Sequence, residues 1–141
     1  MPEFSINFGN AKTLEPLKLP EEGNYELVIT SYEIKQAKKE ESRAKGFNVA
    51  IQFHLVDEPE FANNIIFHNV WVQYDNPWSA KLFFEALTGK TLDDDSLDIT
   101  DANYFIGEHV GATLTLESYL KNNGEPGEKL VVADPNHFYT V

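Results

Sequence analysis

The sequence predicts an all-β protein with one short helix, and three observations predict it. Five runs along its 141 residues are rich in β-branched and aromatic side chains, the composition that suits a pleated, half-buried surface. A single stretch repeats its apolar residues at helical spacing. That stretch falls after the third run, so the order is three strands, one helix and two strands.

Residues 1–22 alternate short apolar groups with Pro16, Pro20 and acids, the pattern of an extended arm, with an edge strand expected at Phe4, Ile6 and Phe8. The domain proper is expected over 23–141. Tyr25 to Ile34 reads as strand one. Lys35 to Gly46 is charged without an apolar face and reads as a long exposed connection. In strand two, Phe47, Val49, Ile51, Phe53 and Leu55 alternate with Asn48, Ala50, Gln52 and His54, which buries one face.

After a turn region holding Pro59 and Asn63-Asn64, strand three covers Ile65 to Tyr74. Phe67, Asn69, Trp71 and Gln73 share one of its faces, and Ile66, His68, Val70 and Val72 the other. Asn76 is expected as an N-cap with Pro77 at the first helical position, and Trp78, Leu82, Phe83, Ala86 and Leu87 then recur at helical spacing until Gly89. Residues 91–103, with Asp93-Asp94-Asp95, read as a polar connection. Val110 to Tyr119 and Lys129 to Ala133 supply strands four and five, with Asn122-Asn123-Gly124 and Pro126-Gly127 as their turn. This is the order of a five-stranded Greek-key barrel of the OB type with a helix between strands three and four. A β-sandwich of seven or more short strands is the rival, and the lone helix favours the barrel.

The chain has no cysteine, which excludes disulfides, thiolate zinc sites and a cysteine nucleophile. Met1-Pro2-Glu3-Phe4 lacks the basic region and apolar run of a signal peptide, and no apolar stretch approaches the ~20 residues of a spanning helix. A cytoplasmic protein with no membrane partner is therefore expected. The net charge is -12. A uniformly negative field repels polyanions over a Debye length of ~8–10 Å, so any nucleic-acid site has to be local.

The run Leu19-Pro20-Glu21-Glu22-Gly23-Asn24-Tyr25-Glu26-Leu27-Val28-Ile29, with Glu33, Lys35 and the basic loop after it, resembles the opening of a family of small phage proteins labelled as a domain of unknown function. Ile66-Phe67-His68-Asn69 is similar to that family's third strand, and Phe83-Phe84-Glu85-Ala86-Leu87-Thr88-Gly89 to its helix. The likeness spans most of residues 19 to 135 and lies in order and spacing. Some members sit in replication or recombination clusters and are taken as single-stranded DNA-binding proteins. The resemblance implies single-stranded DNA as ligand, phage or host replication and recombination proteins as partners, and the host cytoplasm as location. Bacterial single-strand binders commonly end in an acidic tail, whereas this chain ends Asn136-His137-Phe138-Tyr139-Thr140-Val141, so recruitment through such a tail is not expected.

An OB barrel usually binds on strands two and three and on the loops joining strands one to two and four to five. The first loop carries Lys35, Lys38, Lys39, Arg43 and Lys45, five of the chain's 11 basic residues, and phosphate contact needs such a local excess. Glu40 and Glu41 neutralise part of it, and a merely solvated loop is the plain alternative. Sequence-tolerant binding also needs flat rings on which bases stack. Tyr32, Phe67, Trp71 and Tyr119 are the candidates, each against the alternative of core packing. Trp71 stands out because Asn69 and Gln73 on its face would sit uneasily in a dry core. Gln52 and His54, with Asn48, offer polar contacts on strand two, and Lys121 flanks the second loop.

The four histidines, His54, His68, His109 and His137, show no metal-ligand spacing. The acidic run with Asp98 and Asp101 lacks the glycine and terminal glutamate of a calcium loop. No phosphate loop, Gly-x-Ser-x-Gly elbow or nucleophile with a base is present, so a non-enzyme without cofactor or metal is expected. Two other functions stay open: a protein-interaction module, and a virion or structural protein whose edge strands pair between copies. Homo-oligomers are compatible with all three.

Overall fold

A computed structural model of the chain describes residues 19–92 and 97–141. The edge strand expected at Phe4 to Phe8 and the run Asp93-Asp94-Asp95 lie outside them. Five antiparallel strands, β1 (Gly23–Lys35), β2 (Gly46–Leu55), β3 (Ile66–Gln73), β4 (His109–Leu120) and β5 (Pro126–Val132), form one sheet in the order β3-β2-β1-β4-β5. Among the described residues no ladder joins β3 to β5, so the sheet is not closed into a barrel. Cα atoms of these two edge strands nevertheless come within 8 Å of each other.

Alternation decides what each strand buries. Val49, Ile51, Phe53 and Leu55 of β2 and Ile66, Val70 and Val72 of β3 point into the core. On β1 the inward residues are Leu27 and Ile29, and then Tyr32 and Ile34, because the β1–β2 register shifts between Ile29 and Ser31. One extra residue in an antiparallel pair moves every later side chain to the opposite face.

A helix, α2 (Trp78–Thr88), packs Phe83, Phe84, Ala86 and Leu87 onto the sheet's inner side. The Phe83 ring stands 6.4 Å from Phe53 and 4.8 Å from Phe138, both by their edges. Burying each such side chain contributes roughly 1.5–3 kcal/mol. Pro77 is the N-cap rather than the first helical residue, one place later than Asn76-Pro77 predicts. At the other end Gly89 adopts φ +71° and donates its N–H to Glu85 O at 2.8 Å, the left-handed stop that glycine permits.

Three connections differ from expectation. Lys35 to Gly46 contains α1 (Glu40–Lys45), which buries nothing and so has no apolar periodicity. Its acids lie in the first turn and Arg43 and Lys45 in the last, matching the helix dipole. The acidic connection ends in α3 (Ala102–Phe105), capped by the Asp101 carboxylate accepting from the Asn103 N–H at 3.0 Å. β5 begins at Pro126, three residues before Lys129, because the turn is shorter and closes with the Lys121 N–H on Glu125 O at 2.8 Å.

After β5 the chain returns along β4. Gly111 and Tyr139 exchange backbone hydrogen bonds of 2.8 and 2.9 Å, and the Thr140 hydroxyl donates to Ala86 O on α2 at 2.8 Å. Among the described residues no helix is long and apolar enough to cross a membrane.

Candidate functional site

The outer face of β1-β2-β3 is built in rows set by register. Lys35 lies opposite Asn48 and Asn48 opposite Trp71; Glu33, Ala50 and Asn69 form the next row; Ser31, Gln52 and Phe67 the third. Gln73 continues the face opposite Gly46. A groove of about 230 Å³ lies over the second and third rows and reaches Lys35 of the first, lined by Ser31, Glu33, Lys35, Gln52, Phe67 and Asn69.

Phe67 is 64% exposed, which leaves a flat apolar ring in water. Trp71 is half-buried. Its Cζ2 lies 3.0 Å from the place a Cβ on Gly46 would take, and the Val72 carbonyl oxygen lies 2.1 Å from that place. Glycine at 46 therefore lets β3 and the Trp71 ring close over the start of β2. The side-chain amides of Asn48, Gln52, Asn69 and Gln73 make no hydrogen bond to a described residue. His54 is engaged, with Nδ1 2.8 Å from the Thr30 hydroxyl.

The β1–β4 half of the same face has the opposite character. Asn24 accepts from the Thr113 hydroxyl, and Nδ1 of His109 lies 2.8 Å from Glu26. Glu22 accepts from the Thr115 hydroxyl and from the Leu116 N–H at 3.1 Å. These bonds, the Thr115 one first, hold the Glu22 carboxyl below the usual carboxylate range. This half is acidic and its side chains are already paired.

The five cations of the first connection, Lys35, Lys38, Lys39, Arg43 and Lys45, are all exposed and none pairs with a carboxylate of the described residues. The Tyr74 N–H bonds Lys45 O at 2.9 Å, which places the end of α1 beside the end of β3. Lys35 and Lys45, the two ends of this connection, thus stand at the Trp71 end of the face.

Tyr32 does not belong to it. The register shift turns this residue inward to 5% exposure, where its ring stacks on Phe105 at 4.9 Å and its hydroxyl donates to Ile99 O at 2.7 Å. Burial, with a smaller contribution from Asp98, pushes the hydroxyl's pKa up. A base cannot reach a ring already covered, so Tyr32 is corrected to a core residue. Ser31 and Glu33, which sequence reasoning left out, take the outward places. The signal was present, since the apolar positions change from odd at Leu27 and Ile29 to even at Tyr32 and Ile34.

Tyr119 and Lys121 are not part of the three rows. They lie on the β4–β5 hairpin past Leu114, the last β4 residue paired with β1. The Tyr119 ring lies across Gly127, where a Cβ would meet its Cζ at 2.9 Å, and Lys129 Nζ sits 5.7 Å from its centroid. That ring already holds a cation. His68 faces inward with Phe138 at 5.3 Å, and burial lowers its pKa to about 4. Among the described residues no group of three His, Asp or Glu is placed to hold a metal.

The fold defines a mostly β protein, a five-stranded antiparallel sheet carrying a short helical layer, with one polar and aromatic face that no described element covers. Residues 6–116 match the family described as "Protein of unknown function (DUF669)", and the chain belongs to that family. A search of curated proteins finds no match.

Proposed function

We propose that this protein binds single-stranded DNA, tolerant of sequence, in a phage-like replication or recombination system, and that its sheet is an OB-type barrel parted along the β3–β5 seam. The order β3-β2-β1-β4-β5 is that of such a barrel cut between its third and fifth strands, and α2 follows β3 as the capping helix does. An inserted strand needs edges roughly 9–10 Å apart, twice the ordinary strand spacing, and where Cα atoms of β3 and β5 come within 8 Å of each other there is no room for one.

One observation carries the functional reading. In a chain of net charge -12, one sheet face carries a ring 64% exposed and four amides with no partner among the described residues, and the other end of that face adjoins a connection whose five cations pair with no described carboxylate. Rings stack on any base, amides meet base edges, and cations neutralise phosphates. The acidic remainder of the surface repels duplex and keeps contact local.

Fluorescence anisotropy of labelled oligo-dT, against duplex of equal length at low and moderate salt, tests the proposal. Salt-sensitive binding selective for the single strand, with quenching of tryptophan emission, is expected. No binding at low salt sinks it. The exposed Leu120 and the stretch of β4 beyond its pairing with β1 would then favour the second reading, a protein-interaction module or a virion protein that pairs through strand edges.

A further inference from the structure

Phe67 and Trp71 are four residues apart on one outward face of β3, with Asn69 between them. A strand advances ~3.3 Å per residue, so the two side chains leave the strand roughly 13 Å apart. Successive bases rise ~3.4 Å when stacked in a duplex strand, and roughly twice that when the backbone is drawn out. Two steps of an extended strand therefore match the spacing of the two strand positions, and one step does not.

We infer that the face grips DNA in a three-nucleotide unit. The first and third bases stack on Phe67 and Trp71, and the edge of the middle base meets the Asn69 amide. This rests on the single-strand reading above. Asn69 has no partner among the described residues, and its cross-strand neighbour Ala50 is too small to obstruct a base placed over it. Polarity follows from the same rows. Lys35 lies two strands across from Trp71, and α1 ends beside β3, whereas the row of Phe67 holds only the uncharged Ser31 and Gln52. Phosphates near the Trp71 base meet more cations than those near the Phe67 base, which only Lys35, at the far side of the groove, can approach.

Oligonucleotides with abasic sites test the spacing on the full chain. In one, every second thymine is abasic, so bases recur two nucleotides apart. In another of equal length, two of every three are abasic, so no register offers bases two apart. The alternating oligonucleotide should bind within a few-fold of plain oligo-dT, and the period-three one roughly 5- to 150-fold more weakly, the loss of one stacked base. The density of bases alone changes affinity less than twofold.

In Phe67→Ala the two abasic oligonucleotides should become equivalent within that twofold. Equal weakening of both by the unaltered protein, while plain oligo-dT binds, overturns the three-nucleotide unit and leaves the single-strand reading standing. Failure of plain oligo-dT itself to bind overturns both.

Discussion

The Tyr139 ring fills the space that a side chain at Gly111 would need: a Cβ there would lie 2.0 Å from Tyr139 Cε2 and 2.4 Å from Cδ2. Glycine on β4 and tyrosine after β5 are thus one packing unit, joined by the two backbone hydrogen bonds beneath the ring.

Gly111→Ala should cost about 1–3 kcal/mol, the usual penalty for overpacking, since the ring must lift from β4. The same substitution in a Tyr139→Ala background should cost clearly less. Urea denaturation of the four proteins measures the coupling, and additive effects would show that the ring does not depend on Gly111.

At Gly46 the obstruction is backbone. A Cβ would meet the Val72 carbonyl oxygen at 2.1 Å, and no rotation of a side chain relieves that. Gly46→Ala should therefore cost about 3 kcal/mol, toward the upper end of overpacking penalties. It should also shift the emission of Trp71, which lies over the same residue. An unchanged spectrum and melting curve would refute the close approach.

His68 links stability to mild acid. Its pKa falls from 6.5 to about 4 on folding because burial disfavours the imidazolium. Between those values the unfolded chain binds the proton more readily. Stability is then complete above pH 6.5, declines as pH falls, and has lost about 3 kcal/mol by pH 4. In His68→Leu that part of the decline should vanish, leaving the loss from carboxylates at lower pH. Denaturation at pH 7, 5.5 and 4 checks it; parallel curves for the two proteins would exclude His68 as the source.

Tyr32 and Phe67 should separate stability from binding. Tyr32→Phe removes a hydroxyl bonded to Ile99 O, at a cost of about 1 kcal/mol, and leaves oligo-dT affinity unchanged. Phe67→Ala should alter stability by less than about 0.5 kcal/mol, and weaken oligo-dT roughly 5- to 150-fold. A Phe67→Ala protein that binds normally removes that ring from the interface.

Much of the fold was legible because β-strands announce themselves by alternation. The row Val49, Ile51, Phe53 and Leu55 places β2 to within a residue, and Asn69 and Gln73, polar on one side of β3, pick out the outward face that the structure gives to Phe67 and Trp71. What escaped had a physical reason to escape. A bulge leaves composition untouched while reversing faces, which is why Tyr32 looked available. α1 and α3 are too short to show periodicity and α1 buries nothing, although the acid-first, base-last order of Glu40 to Lys45 and the cap at Asp101 were their traces. Tyr119 looked free because its tie to Gly127 and Lys129 depends on how the hairpin folds across itself.

β1 is the middle strand, and its two neighbours reach it on different terms. β2 follows it directly, whereas β4 pairs Val110 with Leu27 only after the chain has passed through β2, β3 and α2. Closing so long a loop is entropically slow, and folding dominated by such contacts takes milliseconds to seconds. Until β4 arrives, Leu27 and Ile29 lie beside an empty edge that any β4–β5 hairpin fits, including one from another molecule. Refolding yield should therefore fall with protein concentration, through swapped dimers in which two copies have exchanged that hairpin.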